Sequence, residues 1–136
     1  MSTDVPPRIL PELTSHNRDF WTGGADGELR ILHCETCARF VHPPRGSCPV
    51  CGGGLVPKAV CGRGTVFSFT ENHQPFHPEV PPPYVIAIVE LAEQSDLRVP
   101  TNLVHCDADA IECGMPVRVL FEQHGEWFVP LFEPDA

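Results

Sequence analysis

Basic residues are scarce in this chain. Nine lysines and arginines stand against 18 acidic residues in 136 positions, for a formal net charge of −9, and Lys58 is the sole lysine. Binding to nucleic acid is driven by neutralising phosphates, so this balance argues against a nucleic-acid partner. No apolar run approaches the roughly 18 residues that mark a membrane-spanning helix, so no membrane span is expected. The opening MSTDVPPRILPEL lacks a basic stretch followed by an apolar core, which is the pattern of a secretory leader. A cytoplasmic location is the default expectation. The chain also has no GxGxxG, P-loop, GxSxG or HExxH pattern, and so none of the short motifs that carry phosphate cradles, nucleophile elbows or zinc-protease sites.

The residues that are present point to a folded domain. The hydrophobic share is 42% and the charged share 20%, outside the range of disordered chains. The length suits one domain with a modest core and a small appended module. Sixteen prolines predict long irregular connections.

The seven cysteines are unevenly placed. Four form CETCARFVHPPRGSCPVC, with Cys34 and Cys37 as one CxxC pair and Cys48 and Cys51 as another. Each pair can place two sulfurs on one metal, and two such loops facing each other complete a tetrahedron. The site is read as structural, because four thiolates leave no open position for water or substrate. Zinc is the expected ion, while iron in a rubredoxin-like centre would use the same four ligands. Cys61, Cys106 and Cys113 are single, and the expectation for each is a small buried hydrophobe. His33 and His42 flank the ligands and are expected to donate hydrogen bonds to nearby groups or solvent.

Around this module the pattern is mostly β. Residues 12–22 predict a short helix whose Phe20 and Trp21 are buried somewhere, since adjacent exposed aromatics are costly. Strands are predicted for LRILHC, LVPKAV, residues 64–71, residues 84–91 and residues 97–104, where Pro100 demands an edge or a bulge. VRVLFEQ and WFVPLFEP add two more. The five strands after residue 61 suit a small barrel, either an OB-fold or an SH3-like one. Parts are expected at 1–28 (arm and helix), 29–60 (cysteine module) and 61–136 (barrel).

Charge is asymmetric. From Arg30 to Arg63 five basic residues accompany one acidic residue, whereas from Glu71 to Asp135 twelve acidic residues accompany two arginines. Arg39, Arg45, Lys58 and Arg63 are therefore candidates to bind the phosphates of a small ligand, with Arg45, next to two prolines, the foremost. His73 and His77, in the proline-rich ENHQPFHPEVPPPY loop, are candidates for a partner contact. No complete catalytic set is evident, so a binding or accessory role is expected.

Taken together, NRDFWTGGADGEL, the cysteine segment, GRGTVFSFT, PPYVIAIVEL and IECGMPVRVLFE resemble the DUF35 family over residues 12–134. The resemblance implies an N-terminal helix, a rubredoxin-like zinc ribbon and a C-terminal five-stranded OB-fold. It implies one structural zinc on Cys34, Cys37, Cys48 and Cys51. It also implies a hetero-oligomer with a thiolase-like or lipid-transfer-type aldolase, a possible MaoC-like hydratase, and acyl-CoA. Within it, Asn17, Phe20, Trp21 and Tyr84 fall on family motifs and join His73 and His77 as candidates for a partner or ligand groove. One branch of the family supports cleavage of steroid side-chain hydroxyacyl-CoA. Two departures stand out. Ala38 occupies a position where glycine commonly follows the second cysteine, and ELAEQSDLRVPTNLV is longer and more acidic than the usual turn and is expected to affect a partner contact.

Overall fold

The computed structural model describes residues 10–73 and 84–135. Helix α1 spans Arg18–Thr22 and continues into a 3-10 turn at Gly23–Asp26. The helix begins later than the apolar spacing predicts, because polar side chains upstream bond locally instead. Thr14 Oγ1 accepts the amides of His16 and Asn17, and Asn17 Oδ1 accepts that of Thr14 at 2.7 Å. Such bonds compete with helical ones. GGADG does more than stop the helix. A Cβ on Gly24 would lie 2.5 Å from Phe128 Cβ, so the missing side chain is what lets this turn approach the barrel wall.

Two sheets follow. The first has order β2-β1-β3, from β1 (Leu29–Cys34), β2 (Arg39–Val41) and β3 (Val56–Val60), all antiparallel. The second has order β6-β5-β4-β7-β8, from β4 (Arg63–Asn72), β5 (Tyr84–Leu91), β6 (Arg98–Asn102), β7 (Pro116–His124) and β8 (Trp127–Pro134). Its outer strands meet through a parallel bridge between Leu103 and Phe132, where the Val104 amide donates to the Phe132 carbonyl at 2.9 Å. Five strands closed in this way make the OB-fold rather than the SH3-like alternative. β6 is a sheet-edge strand, as Pro100 requires. β2 is the one strand that the sequence pattern did not predict.

Strand alternation sets the core. Val85, Ala87, Val89 and Leu91 of β5 point inward with Val66, Val99, Val117 and Phe132. Ile86, Ile88 and Glu90 point outward and share rungs with Asn102, Pro100 and Arg98 of β6. A bulge between Val66 and Ser68 turns Phe67 out, leaving it 47% exposed.

Phe20 joins the parts. It is buried in the core, meets Trp21 edge-on with ring centroids 4.8 Å apart, and lies 4.8 Å from the His42 ring. His42 is partly buried, and loss of solvation lowers its pKa from 6.5 to about 4. Its ring therefore packs against Phe20 as a neutral imidazole near pH 7. The folded state binds this proton less readily than the unfolded chain. Its stabilising contribution is complete above pH 6.5 and is lost as pH falls from there towards about 4. His42→Phe should keep the ring packing and flatten that part of the pH dependence, read as denaturant midpoints from pH 7 to 4. An unchanged profile would show that His42 does not contribute to it.

Candidate functional site

The two CxxC pairs converge. The sulfurs of Cys34, Cys37, Cys48 and Cys51 all lie within 4.8 Å of one another, with Cys34 to Cys51 at 3.6 Å and Cys37 to Cys48 at 4.0 Å. A tetrahedral ion with bonds of about 2.3 Å would need edges of about 3.8 Å, so the donor set fits a metal. Backbone amides of Cys37, Val50 and Gly53 donate to the sulfurs of Cys34, Cys48 and Cys51, each at 3.4 Å. The amides of Cys51 and Val50 bring the Cys48 thiol down to about 7. The Cys37 thiol is pushed up to about 12, first by the Cys51 sulfur. Four sulfurs this close need a cation to be anionic together.

Both knuckles turn the same way. Ala38 (φ 53°) follows Cys37 and Gly52 (φ 74°) follows Cys51, each in the left-handed region. The departure noted at Ala38 is thus a β-carbon where the backbone favours glycine. Cys61 and Cys113 are exposed, contrary to their expected burial, and Cys106 is half-buried. Both lie at strand ends and turns, where the small size of cysteine gives no guide to burial. Among the described residues, the four cysteines are the sole group of three or more side chains placed to hold a metal.

A groove of about 640 Å³ opens where helix, cysteine module and barrel meet. Pro11, Asn17, Phe20 and Trp21 line it from the N-terminal side, and His42, Pro43 and Pro44 from the loop after β2. Its floor is the outer face of the barrel, with Phe67, Ser68, Ile88, Arg98 and Pro100. Asn17, Phe20 and Trp21 are therefore brought together. His73, 3.2 Å from the Glu71 carboxylate, and Tyr84 do not line this groove. His77 lies outside the described residues. Of the four candidate phosphate cations, Arg39 and Arg45 line a second cleft of about 460 Å³. Arg39 is already paired with Asp96. Lys58 sits on β3, at the opposite edge of the three-stranded sheet from Arg39, and Arg63 faces Asp135 at 3.5 Å. The structure does not gather the four into one site.

Comparison with known proteins agrees with this architecture. Residues 21–56 match the family model described as the rubredoxin-like zinc ribbon domain of ChsH2, and residues 57–122 the model of its C-terminal OB-fold domain. A DUF35 domain-containing scaffold protein of Methanothermobacter thermautotrophicus is 36% identical over 66% of this chain and 68% of its own length. The chain belongs to the DUF35 family. A solved structure described as the Ltp2-ChsH2(DUF35) aldolase contains a chain that matches with a TM-score of 0.83 and 35% identity, over 93% of this chain and all of that one. The 3-oxo-4,17-pregnadiene-20-carboxyl-CoA hydratase alpha subunit of Mycobacterium tuberculosis is 37% identical over 98% of this chain, which spans 44% of that subunit.

One feature of this DUF35 chain was not readable from sequence. The acidic turn between β5 and β6 contacts the cysteine module of the same chain. The Gln94 side chain accepts the Phe40 amide at 2.9 Å and donates to the Phe40 carbonyl at 3.0 Å, as a neighbouring strand would. Asp96 holds Gln94 at 2.9 Å and pairs with Arg39. Fifty-four residues separate Gln94 from Phe40, and only a length difference from the family pattern signalled the turn.

Two outcomes follow. Ala38→Gly relieves a left-handed alanine and should raise stability by about 1 kcal/mol, measured by denaturant midpoint; a loss would mean that the β-carbon is not strained there. Gln94→Ala removes two hydrogen bonds to Phe40 and one to Asp96 and should cost about 1–2 kcal/mol by the same measurement. An unaffected midpoint would show that the contact adds nothing to stability.

Proposed function

We propose that this chain is an accessory subunit of a thiolase-like acyl-CoA enzyme. In this reading it docks to the partner and orders it, while the partner cleaves a C–C bond of a steroid side-chain hydroxyacyl-CoA by retro-aldol chemistry. The observation that carries the reading is the match to the DUF35 chain of the aldolase structure, which extends over all of that chain. The similarity to a pregnadiene-carboxyl-CoA hydratase subunit supports the steroid acyl-CoA class and a hydratase as a further partner. Because the chain spans less than half of that subunit, hydratase chemistry is not assigned to it.

The parts have distinct tasks. Cys34, Cys37, Cys48 and Cys51 hold one zinc ion, which staples the ribbon and, with four thiolates, has no position left for substrate. Four metal-held thiols suit a reducing compartment, and a cytoplasmic location is part of this proposal. Arg45, in the cleft beside the ribbon, is offered to the phosphate end of CoA. Catalysis is given to the partner. Ser68 and His42 both line the groove, yet no hydrogen bond joins them, and the His42 ring stays neutral near pH 7.

A second reading is a purely architectural scaffold that links enzymes without touching substrate. The scaffold name of the Methanothermobacter relative favours it. Co-expression of this chain with its thiolase-like partner separates the two. An accessory subunit should co-purify with the partner and raise steroid acyl-CoA cleavage, with Arg45→Ala weakening substrate affinity. A complex whose substrate affinity ignores Arg45→Ala and every groove substitution would favour the scaffold. Failure to form a complex would overturn both.

A further inference from the structure

The groove between Trp21 and the barrel has an order that a general docking surface does not need. Along the outer face of β5 and β6, the pair Glu90 and Arg98 is followed by Ile88 and Pro100 on the next outward rung. Same-face rungs lie about 7 Å apart. Arg98 is thus one end of the groove floor, with Glu90 beside it just outside the lining, and the apolar pair continues the floor with Phe67. Trp21 and Pro44 line the groove as well. The volume, about 640 Å³, falls in the range of small-molecule sites.

Arg98 is the sole charged side chain lining this groove among the described residues. Its guanidinium lies over the Phe67 ring, 3.7 Å from the centroid, which fixes its plane and keeps it at the mouth of the apolar floor. Nε faces Glu90 Oε2 at a long 3.4 Å. The two terminal nitrogens have no hydrogen-bond partner among the described residues, so one edge of the fork is free to meet an anion. Partly exposed pairs such as Arg98 and Glu90 are weak, and Glu90 can yield to a stronger acceptor.

We infer that this groove is a binding site for a bulky apolar group bearing one anionic end. The apolar group lies on Ile88, Pro100 and Phe67 against Trp21, and Arg98 anchors the anion. Glu90 holds Arg98 ready and competes with the ligand for it. The inference deepens the accessory role proposed above and rests on it only for the identity of the natural ligand, since the site belongs to this chain alone.

The test uses two probes of nearly equal shape. 1-Anilinonaphthalene-8-sulfonate carries an anion, and N-phenyl-1-naphthylamine is the same ring system without it. Both are titrated into the full chain by probe fluorescence. The sulfonate should bind more tightly than the amine. Arg98→Met should weaken the sulfonate about tenfold and leave the amine unchanged. Glu90→Gln should tighten the sulfonate alone, a gain that partial unfolding cannot produce. Ser68→Trp, which fills the floor from an outward position, should remove both. Equal affinities for the two probes in the native chain and in Arg98→Met would overturn the inference. So would binding that survives Ser68→Trp. If the thiolase-like partner displaces the probes and Arg98→Met no longer joins it, the groove is a protein interface and the inference fails, although the accessory role stands. If no complex forms but the probe pattern holds, the accessory role fails and the site stands.

Discussion

Four sulfurs meeting at one point are the constraint on which the rest depends. The ribbon has little core of its own: four of the five residues of β3 are exposed and β2 is three residues long. A segment of this size cannot offset its ordering entropy by burial. The cysteine cluster supplies the cross-link, and both ends of the loop carrying Pro43 and Pro44 are tied to it, through Cys37 on one side and Cys48 on the other. Left-handed turns after Cys37 and Cys51 aim the sulfurs inward, and backbone amides stabilise their charge.

The ribbon matters to the barrel because the groove needs both. Its floor is barrel, its walls are helix and ribbon loop. Phe20 packs against His42 on one side of this junction. Gln94 extends the open edge of β2 on the other. An exposed strand edge is a site for unwanted pairing, and here a side-chain amide closes it. The acidic turn between β5 and β6 thus has an internal role, tying the ribbon to the barrel beside the groove.

Much of this was legible in the sequence for identifiable reasons. Alternation of side chains placed β4 and β7, and apolar or aromatic runs placed β5 and β8, each to within a residue or two. CxxC spacing named the four cysteines, because chelation by a turn is local. What escaped was non-local or had no periodicity. β2 is too short to show a pattern between a cysteine and two prolines. The bulge at Phe67 shifts the register by one residue, and no residue type announces it. The pairing of Gln94 with Phe40 spans 54 residues. The basic residues near the ribbon look like a cluster in sequence, yet β2 and β3 lie on opposite edges of their sheet, so Arg39 and Lys58 are separated.

The central claim is that an ion on the four cysteines holds the ribbon against the barrel. Hydrogen exchange at the Phe40 amide, followed before and after chelation of a metal-loaded chain, tests it most directly. That amide donates to Gln94, whereas the amides of Val89 and Val99 belong to the barrel sheet. One ion per chain is expected, and its removal should abolish protection at Phe40 while Val89 and Val99 keep theirs. Protection at Phe40 that persists without the ion would show that the ribbon is held by packing alone, and the account would be wrong.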